Sequence, residues 1–323
     1  MGWRRNNTIL TIYSIALVTQ FKGELKMKKI IITNFTDPVC SWCWGSEPIF
    51  RALETHYPNE IEVRNVMGGL VDNIDNFSDP GNGIDAGSEG ANAQIVSHWV
   101  EGAERHGMPI LAEGFNLFSK EFPSTYPQNI AYKAAQIADP DKADAFLRRL
   151  REATESEAKV TSNPDVQIEL ASEVGIDMVD FIKALNSGEA EKKFKADMAL
   201  SRSAGVRGFP SFLVKSSEGR QLLVRGYKTL PEFKEIISYL TDGTLMSLDV
   251  KPSFELLTEL LAKHPKLALE EVRQALGFSS KEEAEVWLEP YIKDGSLMQE
   301  MAGTSYFVRK ADSMSCDIVT GIC

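Results

Sequence analysis

The chain has 323 residues, of which 43% are hydrophobic and 25% are charged. These proportions are typical of globular proteins and exclude collagen-like, coiled-coil and disordered classes, and the length predicts about two domains. The formal net charge of −11 argues against nucleic-acid and membrane partners, because neutralising phosphates requires a basic surface. No apolar run is long enough to span a bilayer. Four cysteines in a chain of this length are too few for a secreted disulfide scaffold.

Residues 1–26 are predicted to lie outside the fold. Arg4 and Arg5 precede the mostly apolar stretch Ile9–Val18, which resembles a signal peptide, but no small-x-small cleavage site follows it. Met27, followed by Lys28, Lys29 and the run Ile30–Ile32, is a natural start for a protein that opens with a buried strand, so we favour a start assigned too early over an export leader. This interpretation predicts a cytoplasmic protein. A natural protein whose mature chain begins shortly after Val18 would contradict it.

The first domain is predicted to open with alternating strands and helices. Ile30–Phe35 is a β-branched run that predicts a buried strand, Glu47–His56 has the spacing of a helix, and Ile61–Met67 alternates as a second strand. Val71–Gly87 is rich in Asp, Asn and Gly, which predicts a loop. The order of these elements is that of a β-α-β unit.

Helical periodicity then dominates from about residue 91 to 204. A hairpin follows, formed by Phe212–Val214 and Gln221–Arg225, and then a helix at Pro231–Leu240. A β-α-β unit and a β-β-α unit separated by helices predict an α/β fold, one small mixed sheet with a large helical insertion. The predicted helices of the insertion are Ala91–His106, Ile130–Ile137, Ala143–Ala158, Pro164–Val174, Met178–Leu185 and Ala190–Ala204.

Residues 251–311 are predicted to form a second, small domain. The helices Ser253–His264, Ala268–Leu276 and Lys281–Asp294 precede two short strands on either side of Gly303, which is a winged-helix-like arrangement. Eight basic and eleven acidic residues lie between Lys251 and Asp312, a net charge of −3, so the sequence favours a protein-contact or packing module over DNA binding. The remaining residues, 312–323, have no periodicity and predict a flexible tail.

The chemistry is concentrated in Cys40-Ser41-Trp42-Cys43, which follows a strand and a turn and begins a helix. Unpaired N–H groups at the helix start should stabilise the Cys40 thiolate and lower its pKa, which makes Cys40 the exchanging sulfur. Cys43 lies one turn further on the same side and should resolve the mixed disulfide. Trp42 and Trp44 are predicted to form an apolar, partly exposed rim suited to a polypeptide substrate.

Two other interpretations of the cysteines stay open: a pair of inert core thiols, or half of a zinc site. Zinc would require a second pair of ligands, and only Cys316 and Cys323 in the tail remain. These two form a possible second redox pair that reaches back to Cys40 and Cys43, or they are incidental. The sequence predicts no metal and no organic cofactor, only a redox-active Cys40–Cys43 disulfide.

A second motif, Gly205–Phe212, has the sequence GVRGFPSF. Pro210 stands between a glycine turn and a β-run, and proline cannot donate to a ladder, so it belongs at a strand start or edge. If the Phe209–Pro210 bond is cis, the backbone can present the N–H and C=O of Phe209 to an extended substrate beside Cys40. The alternative is a trans proline that only opens a strand.

FTDPVCSWCWGSEP, the helical block and the downstream AGVRGFPSFLV together resemble the DsbA-like branch of the thioredoxin superfamily over residues 27–245. The resemblance implies a thioredoxin fold with an inserted helical domain, a Cys40–Cys43 redox pair and a cis Pro210. Within the branch, the chain is similar to the cytoplasmic FrnE-like proteins and to the adaptors that deliver the regulator Spx to a protease. Those adaptors also carry a small helical domain after a DsbA-like one.

One departure from the branch concerns the residues between the cysteines. The strongly oxidising members have Pro-His there, whereas this chain has Ser41-Trp42, which supplies no charge to favour the thiolate. A fixed oxidising direction is therefore not expected. Kappa glutathione transferases and hydroxychromene-carboxylate isomerases have serine in place of Cys40, which argues against those functions.

Two functions follow from the sequence. The first is a thiol–disulfide oxidoreductase or isomerase that acts on protein thiols or disulfides with a cellular thiol reductant or oxidant as its electron partner. The alternative is a redox-sensitive adaptor that binds a client protein for proteolysis. Replacing Cys40 by serine distinguishes them, because catalysis should vanish while client capture survives.

Overall fold

The computed structural model describes residues 29–85 and 87–311. The predictions for residues 1–26 and for Cys316 and Cys323 fall outside this part of the chain. None of the helices in the described ranges has the combination of length and apolarity that crossing a membrane requires.

The first sheet has four strands in the order β2-β1-β3-β4: β1 Ile30–Thr36, β2 Ile61–Met67, β3 Ser211–Ser216 and β4 Gln221–Arg225. β1 runs parallel to β2 and antiparallel to β3, which pairs antiparallel with β4. The mixed sheet predicted from the sequence is therefore confirmed. Most of its core side chains come from β1 and β3, the strands in the middle of the sheet, and Val224 of β4 joins them.

Helices cover the sheet and form the insertion. α1 is Ser41–Trp44 and α2 is Glu47–His56, as the apolar spacing of Ile49, Phe50 and Leu53 predicts. The insertion contains α3 Gly87–His106, α4 Tyr126–Ala138, α5 Ala143–Glu155, α6 Pro164–Glu173, α7 Met178–Asn186 and α8 Glu189–Ser203, and α9 Leu230–Leu240 returns to the sheet. α4 begins a full turn before its predicted start because Pro127 occupies the first turn, where its missing N–H costs nothing.

The C-terminal residues form α10 Phe254–Lys263, β5 Lys266–Ala268, α11 Leu269–Ala275, α12 Lys281–Lys293, β6 Leu297–Ala302 and β7 Ser305–Lys310. The three strands make a small antiparallel sheet in the order β5-β7-β6. The sequence did not predict β5, because three residues are too few to show a period of two. The winged-helix assignment of this region stays a prediction.

The C-terminal region packs directly on the first sheet domain. α11 lies against α2, where Thr55 Oγ1 donates to the Ala275 carbonyl at 2.7 Å. The β6–β7 turn meets the segment after α3, and the Thr304 N–H donates to the Ile110 carbonyl at 3.0 Å. Gly303 is required at this turn because a Cβ there would lie 1.8 Å from the Ile110 oxygen. One apolar cluster therefore continues from the first domain into the second.

Candidate active site

The two cysteines are positioned by the end of β1 and the start of α1. After β1, the Asp37 Oδ1 accepts the Val39 N–H at 2.9 Å, which fixes the turn that leads into the helix. Cys40 is the N-cap of α1, and its Sγ accepts the Cys43 N–H at 3.2 Å. Cys40 is 5% exposed and Cys43 is 1% exposed. Cys40 is thus the more exposed of two buried cysteines.

The protonation of the pair differs from the sequence-based expectation. Burial, followed by the hydrogen bond and charge of Cys43, raises the pKa of Cys40 well above its ordinary value. Burial also disfavours the Cys43 thiolate, but a hydrogen bond from Cys40, the charge of Arg151 and a hydrogen bond from Thr36 together lower the pKa of Cys43. The pair therefore holds its first negative charge on Cys43, and the helix start alone does not make Cys40 the anion.

A buried ion-pair network provides the positive charge next to Cys43. Arg151, on α5, is 2% exposed, forms a salt bridge with Glu47 on α2, and donates to Thr36 Oγ1 at 2.5 Å. Burial raises the pKa of Glu47, but the charges of Arg151, Arg148 and Arg51 outweigh it and lower that pKa to about 2. The carboxylate therefore stays ionised and keeps Arg151 in place. The sequence contains no local signal for this network, because its members come from three elements.

Glu155, at the end of α5, is a further residue that the sequence did not indicate. Its side chain is fully buried, and neither carboxylate oxygen has a hydrogen-bond partner within the described ranges. Burial, and after it the charge of Cys43, raises the pKa of Glu155 well above its ordinary value. Glu155 is thus a buried carboxyl group that exchanges protons at higher pH than usual and is electrostatically coupled to Cys43.

The two tryptophans have different environments. Trp42 is partly exposed, donates from Nε1 to His98 Nε2 at 3.3 Å, and has the ring of Tyr227 at 5.5 Å between centroids. Trp44 is fully buried and donates from Nε1 to the Pro109 carbonyl at 3.0 Å. The prediction that Trp44 belongs to a substrate-facing rim is therefore wrong. Its ring packs against Phe307 of β7, and the sequence alone does not predict that Phe307 lies near α1.

The Phe209–Pro210 turn lies beside Cys40. The peptide bond between these residues is cis, and β3 begins at the next residue. The Phe209 N–H and C=O make no hydrogen bond with any described residue. The Phe209 ring covers Gly68, where a Cβ would lie 1.9 Å from the ring Cζ. A groove of about 660 Å³ connects this turn with Cys40 and Trp42, so the two sequence motifs meet at one opening.

Metal binding at the cysteines gains no support from the neighbouring side chains. In residues 29–85 and 87–311, no group of three or more His, Cys, Asp and Glu side chains is arranged to hold a metal ion. Cys40 and Cys43 are free thiols, close enough in one helical turn for the Cys43 N–H to reach the Cys40 sulfur. The arrangement suits thiol–disulfide chemistry, in which one thiolate and a neighbouring thiol are needed.

A family model described as Thioredoxin matches residues 34–235. The solved structure of a putative protein disulfide isomerase from Nitrosomonas europaea is similar with a TM-score of 0.53 and 23% identity, and it covers 67% of this chain and 97% of that one. The cytosolic disulfide reductase DsbM from Pseudomonas aeruginosa is similar with a TM-score of 0.51 and 21% identity, over 66% of this chain and 97% of its own. These likenesses concern the fold.

The curated relatives carry a different name. The ClpXP adapter protein SpxH of Shouchella clausii is 27% identical over 280 residues, which are 86% of each chain. The protein of the same name from Halalkalibacterium halodurans is 28% identical, over 59% of this chain and 60% of its own. In the second case the match spans less than two thirds of the relative.

Proposed function

Since this chain belongs to the thioredoxin family, in its DsbA-like branch, we propose that it is an adaptor that binds a client protein and delivers it to a ClpXP-type protease. The support for this proposal is the extent of the likeness. The Shouchella adapter matches 86% of this chain, whereas the two oxidoreductase structures match 67% and 66%. The additional length is what an adaptor with a C-terminal domain would need, and a cytoplasmic location is part of this proposal.

The C-terminal region packs against the first domain, which supports an adaptor whose two regions keep a fixed orientation. Residues 251–311, which we propose as a winged-helix-like domain, share an apolar cluster with α1 and α3, and Trp44 contacts Phe307 across the boundary. The boundary also contains buried hydrogen bonds, such as His56 Nε2 with the Gln274 carbonyl at 3.2 Å. A client held by both regions would therefore be presented in one orientation, as delivery to a protease requires.

A second candidate function, thiol–disulfide exchange on the client, is favoured by the cysteine pair itself. The Cys43 thiolate accepts the Cys40 proton through the hydrogen bond between the two sulfurs, and the Cys40 sulfur then attacks one sulfur of a client disulfide. A mixed disulfide forms between Cys40 and the client, and the other client sulfur leaves as a thiolate. Trp42 and Phe209 line the groove in which we propose that the client backbone lies, and the cis bond to Pro210 sets the direction of the backbone at Phe209.

Resolution of the mixed disulfide requires Cys43 to lose the proton it received. The charge of Cys43 is one of the two causes that raise the pKa of Glu155, so protonation of Cys43 favours release of the Glu155 proton to solvent, and the Glu155 carboxylate can then accept the proton of Cys43. The Cys43 sulfur then attacks Cys40, the client thiolate leaves, and the Cys40–Cys43 disulfide remains. A cellular thiol would reduce this disulfide, so the client gains two electrons at the expense of that thiol.

One pair of assays tests both candidates. In the first, purified ClpXP degrades the regulator Spx with and without this chain, and we expect the chain to accelerate degradation and Cys40→Ser to retain that effect. In the second, the chain reduces a model disulfide peptide, and we expect Cys40→Ser to abolish the reaction. Absence of any acceleration by the wild-type chain would refute the adaptor proposal, and absence of exchange by the wild-type chain would refute the second candidate.

A further inference from the structure

The groove beside Cys40 has walls from three parts of the fold. The start of α1 forms one wall with Cys40 and Trp42, and the residues after β2, from Gly68 to Val71, form the floor. The opposite wall is made by the end of α8 and by the loop that leads to Pro210. This opposite wall lies where the residues next to an exchanging client cysteine would pass.

The charges on that wall are positive, although the chain as a whole carries a net charge of −11. Arg202, in the last turn of α8, and Arg207, in the loop, are both exposed, and neither makes an ion pair with a described residue. Arg225 supports the same loop from behind, because its Nη2 donates to the Gly205 carbonyl at 3.2 Å. The opposite wall therefore presents the guanidinium groups of Arg202, from α8, and Arg207, from the loop, to the groove.

The acidic groups near the groove do not neutralise this wall. Asp79, the one carboxylate among the lining residues, accepts the Asn82 amide at 2.7 Å. Asp37 is buried in the turn before α1, where it accepts from Asn129 Nδ2 at 2.7 Å and from the Leu70 N–H at 2.7 Å. Asp72 is exposed beyond Val71, outside the lining of the groove. The side of the groove formed by Arg202 and Arg207 thus keeps its positive charge.

From this arrangement we infer that the groove accepts an extended, acidic segment of a client polypeptide, with carboxylates beside the reacting cysteine facing Arg202 and Arg207. The free N–H and C=O of Phe209 pair with the backbone of the segment, and the two guanidinium groups select its side chains. The inference rests on the proposed binding of a client polypeptide, and it adds the chemical class of the segment that both candidate functions would use.

The test uses the full chain and three ten-residue peptides with blocked ends, identical except for flanks of glutamate, glutamine or lysine. A serine replaces the central cysteine, so binding is measured by fluorescence anisotropy without any exchange. We expect the glutamate peptide to bind about 2- to 30-fold more tightly than the glutamine peptide, the range for two exposed ion pairs, and the lysine peptide to bind least. High salt should remove most of the difference, because exposed charges are screened.

Two double variants locate the effect. Arg202→Gln with Arg207→Gln should make the three affinities nearly equal. Lys183→Gln with Lys192→Gln removes the same charge from exposed positions on α7 and at the start of α8, and should keep the preference. Equal binding of the three peptides by the wild-type chain, or an unchanged preference in the arginine variant, would overturn the inference.

The same peptides with cysteine restored, each as a mixed disulfide with thionitrobenzoate, separate this inference from the exchange chemistry. The Cys40 sulfur attacks the peptide sulfur, and coloured thionitrobenzoate leaves. If the glutamate peptide binds preferentially but no colour develops, the exchange function fails and the acidic-segment inference stands. If colour develops at one rate for all three peptides and their affinities are equal, exchange stands and the inference fails.

Discussion

Glu271 offers the sharpest test of how firmly the C-terminal region is joined to the first domain. The residue lies on α11, and its side chain is fully buried. Its Oε2 accepts from Arg148 Nη2 at 2.8 Å and from the Ala268 N–H at 2.8 Å, and its Oε1 lies 3.6 Å from Arg51 Nε. Replacing Glu271 by glutamine removes one negative charge from between two buried arginines and keeps the size of the side chain.

The expected loss of stability depends on which other ion pairs Arg148 and Arg51 keep. Removing one partner of a buried ion pair typically costs about 3–5 kcal/mol, because the other charge stays buried and unpaired. Here Arg148 keeps Glu152 at 2.7 Å, and Arg51 keeps Glu47 at 3.4 Å, so the loss belongs near the lower limit. We expect the free energy of unfolding to fall by about 3 kcal/mol, which lowers the Tm by roughly 4–5 °C for a chain of this size.

Urea unfolding followed by circular dichroism and by tryptophan fluorescence measures this change. The control is Glu259→Gln, which removes an exposed charge on α10 and should change stability by less than about 0.5 kcal/mol. Because the two regions share one apolar cluster, we expect the wild-type chain to unfold in a single transition by both probes. A Glu271→Gln chain as stable as the Glu259→Gln control would refute the argument that the buried charges join the regions.

Three further predictions concern residues at or beside the site, among them His106 in the last turn of α3, whose ring lies 5.7 Å from that of Trp42 between centroids. Burial, and after it Lys281, lowers the pKa of His106 from its usual 6.5 to about 4, so the fold loses up to about 3 kcal/mol as pH falls from 6.5 to 4. His106→Gln should flatten this part of the profile of unfolding free energy against pH, and an unchanged slope would contradict the assignment. Gly68→Ala puts a methyl group against Phe209, so it should destabilise the chain by about 1–3 kcal/mol and weaken peptide binding. In the control Gly208→Ala, the added methyl group has no atom within 4 Å, so neither effect is expected. Glu155→Gln should slow release of the peptide from the Cys40 mixed disulfide at least about tenfold in stopped-flow assays. The attack of Cys40 on the peptide should keep its rate. Equal slowing of both steps would rule out a role of Glu155 confined to resolution.

The sequence was informative where a feature is local. The strand Ile61–Met67 and the helix Glu47–His56 were predicted with the bounds that the structure has, because each carries a regular apolar period and a terminating residue. The Cys40–Cys43 motif and the Phe209–Pro210 turn were recognised from residue types alone. Their meeting at one groove follows from the pairing of β1 with β3, which the order of strands in the mixed sheet implies.

Features that depend on distant contacts were not predictable in this way. Trp44 looks like Trp42 in the sequence, yet one is buried under Phe307 and the other lines the groove, because β7 arrives from the far end of the chain. The pKa of Cys40 was expected to fall from the helix start alone. Arg151, which stabilises the charge on Cys43 instead, lies on α5, more than a hundred residues later in the sequence.

The same network explains why the cysteine pair and the C-terminal region belong to one physical unit. Arg151 contacts Thr36 beside Cys43 and also Glu47, and Glu47 contacts Arg148, which in turn holds Glu271 on α11. A thiolate on Cys43 lies next to Arg151, at one end of this series of ion pairs, whereas a Cys40–Cys43 disulfide carries no charge there. If the proposed adaptor function holds, oxidation of the thiols would therefore act first on buried charges that reach the C-terminal region, and not on the apolar core.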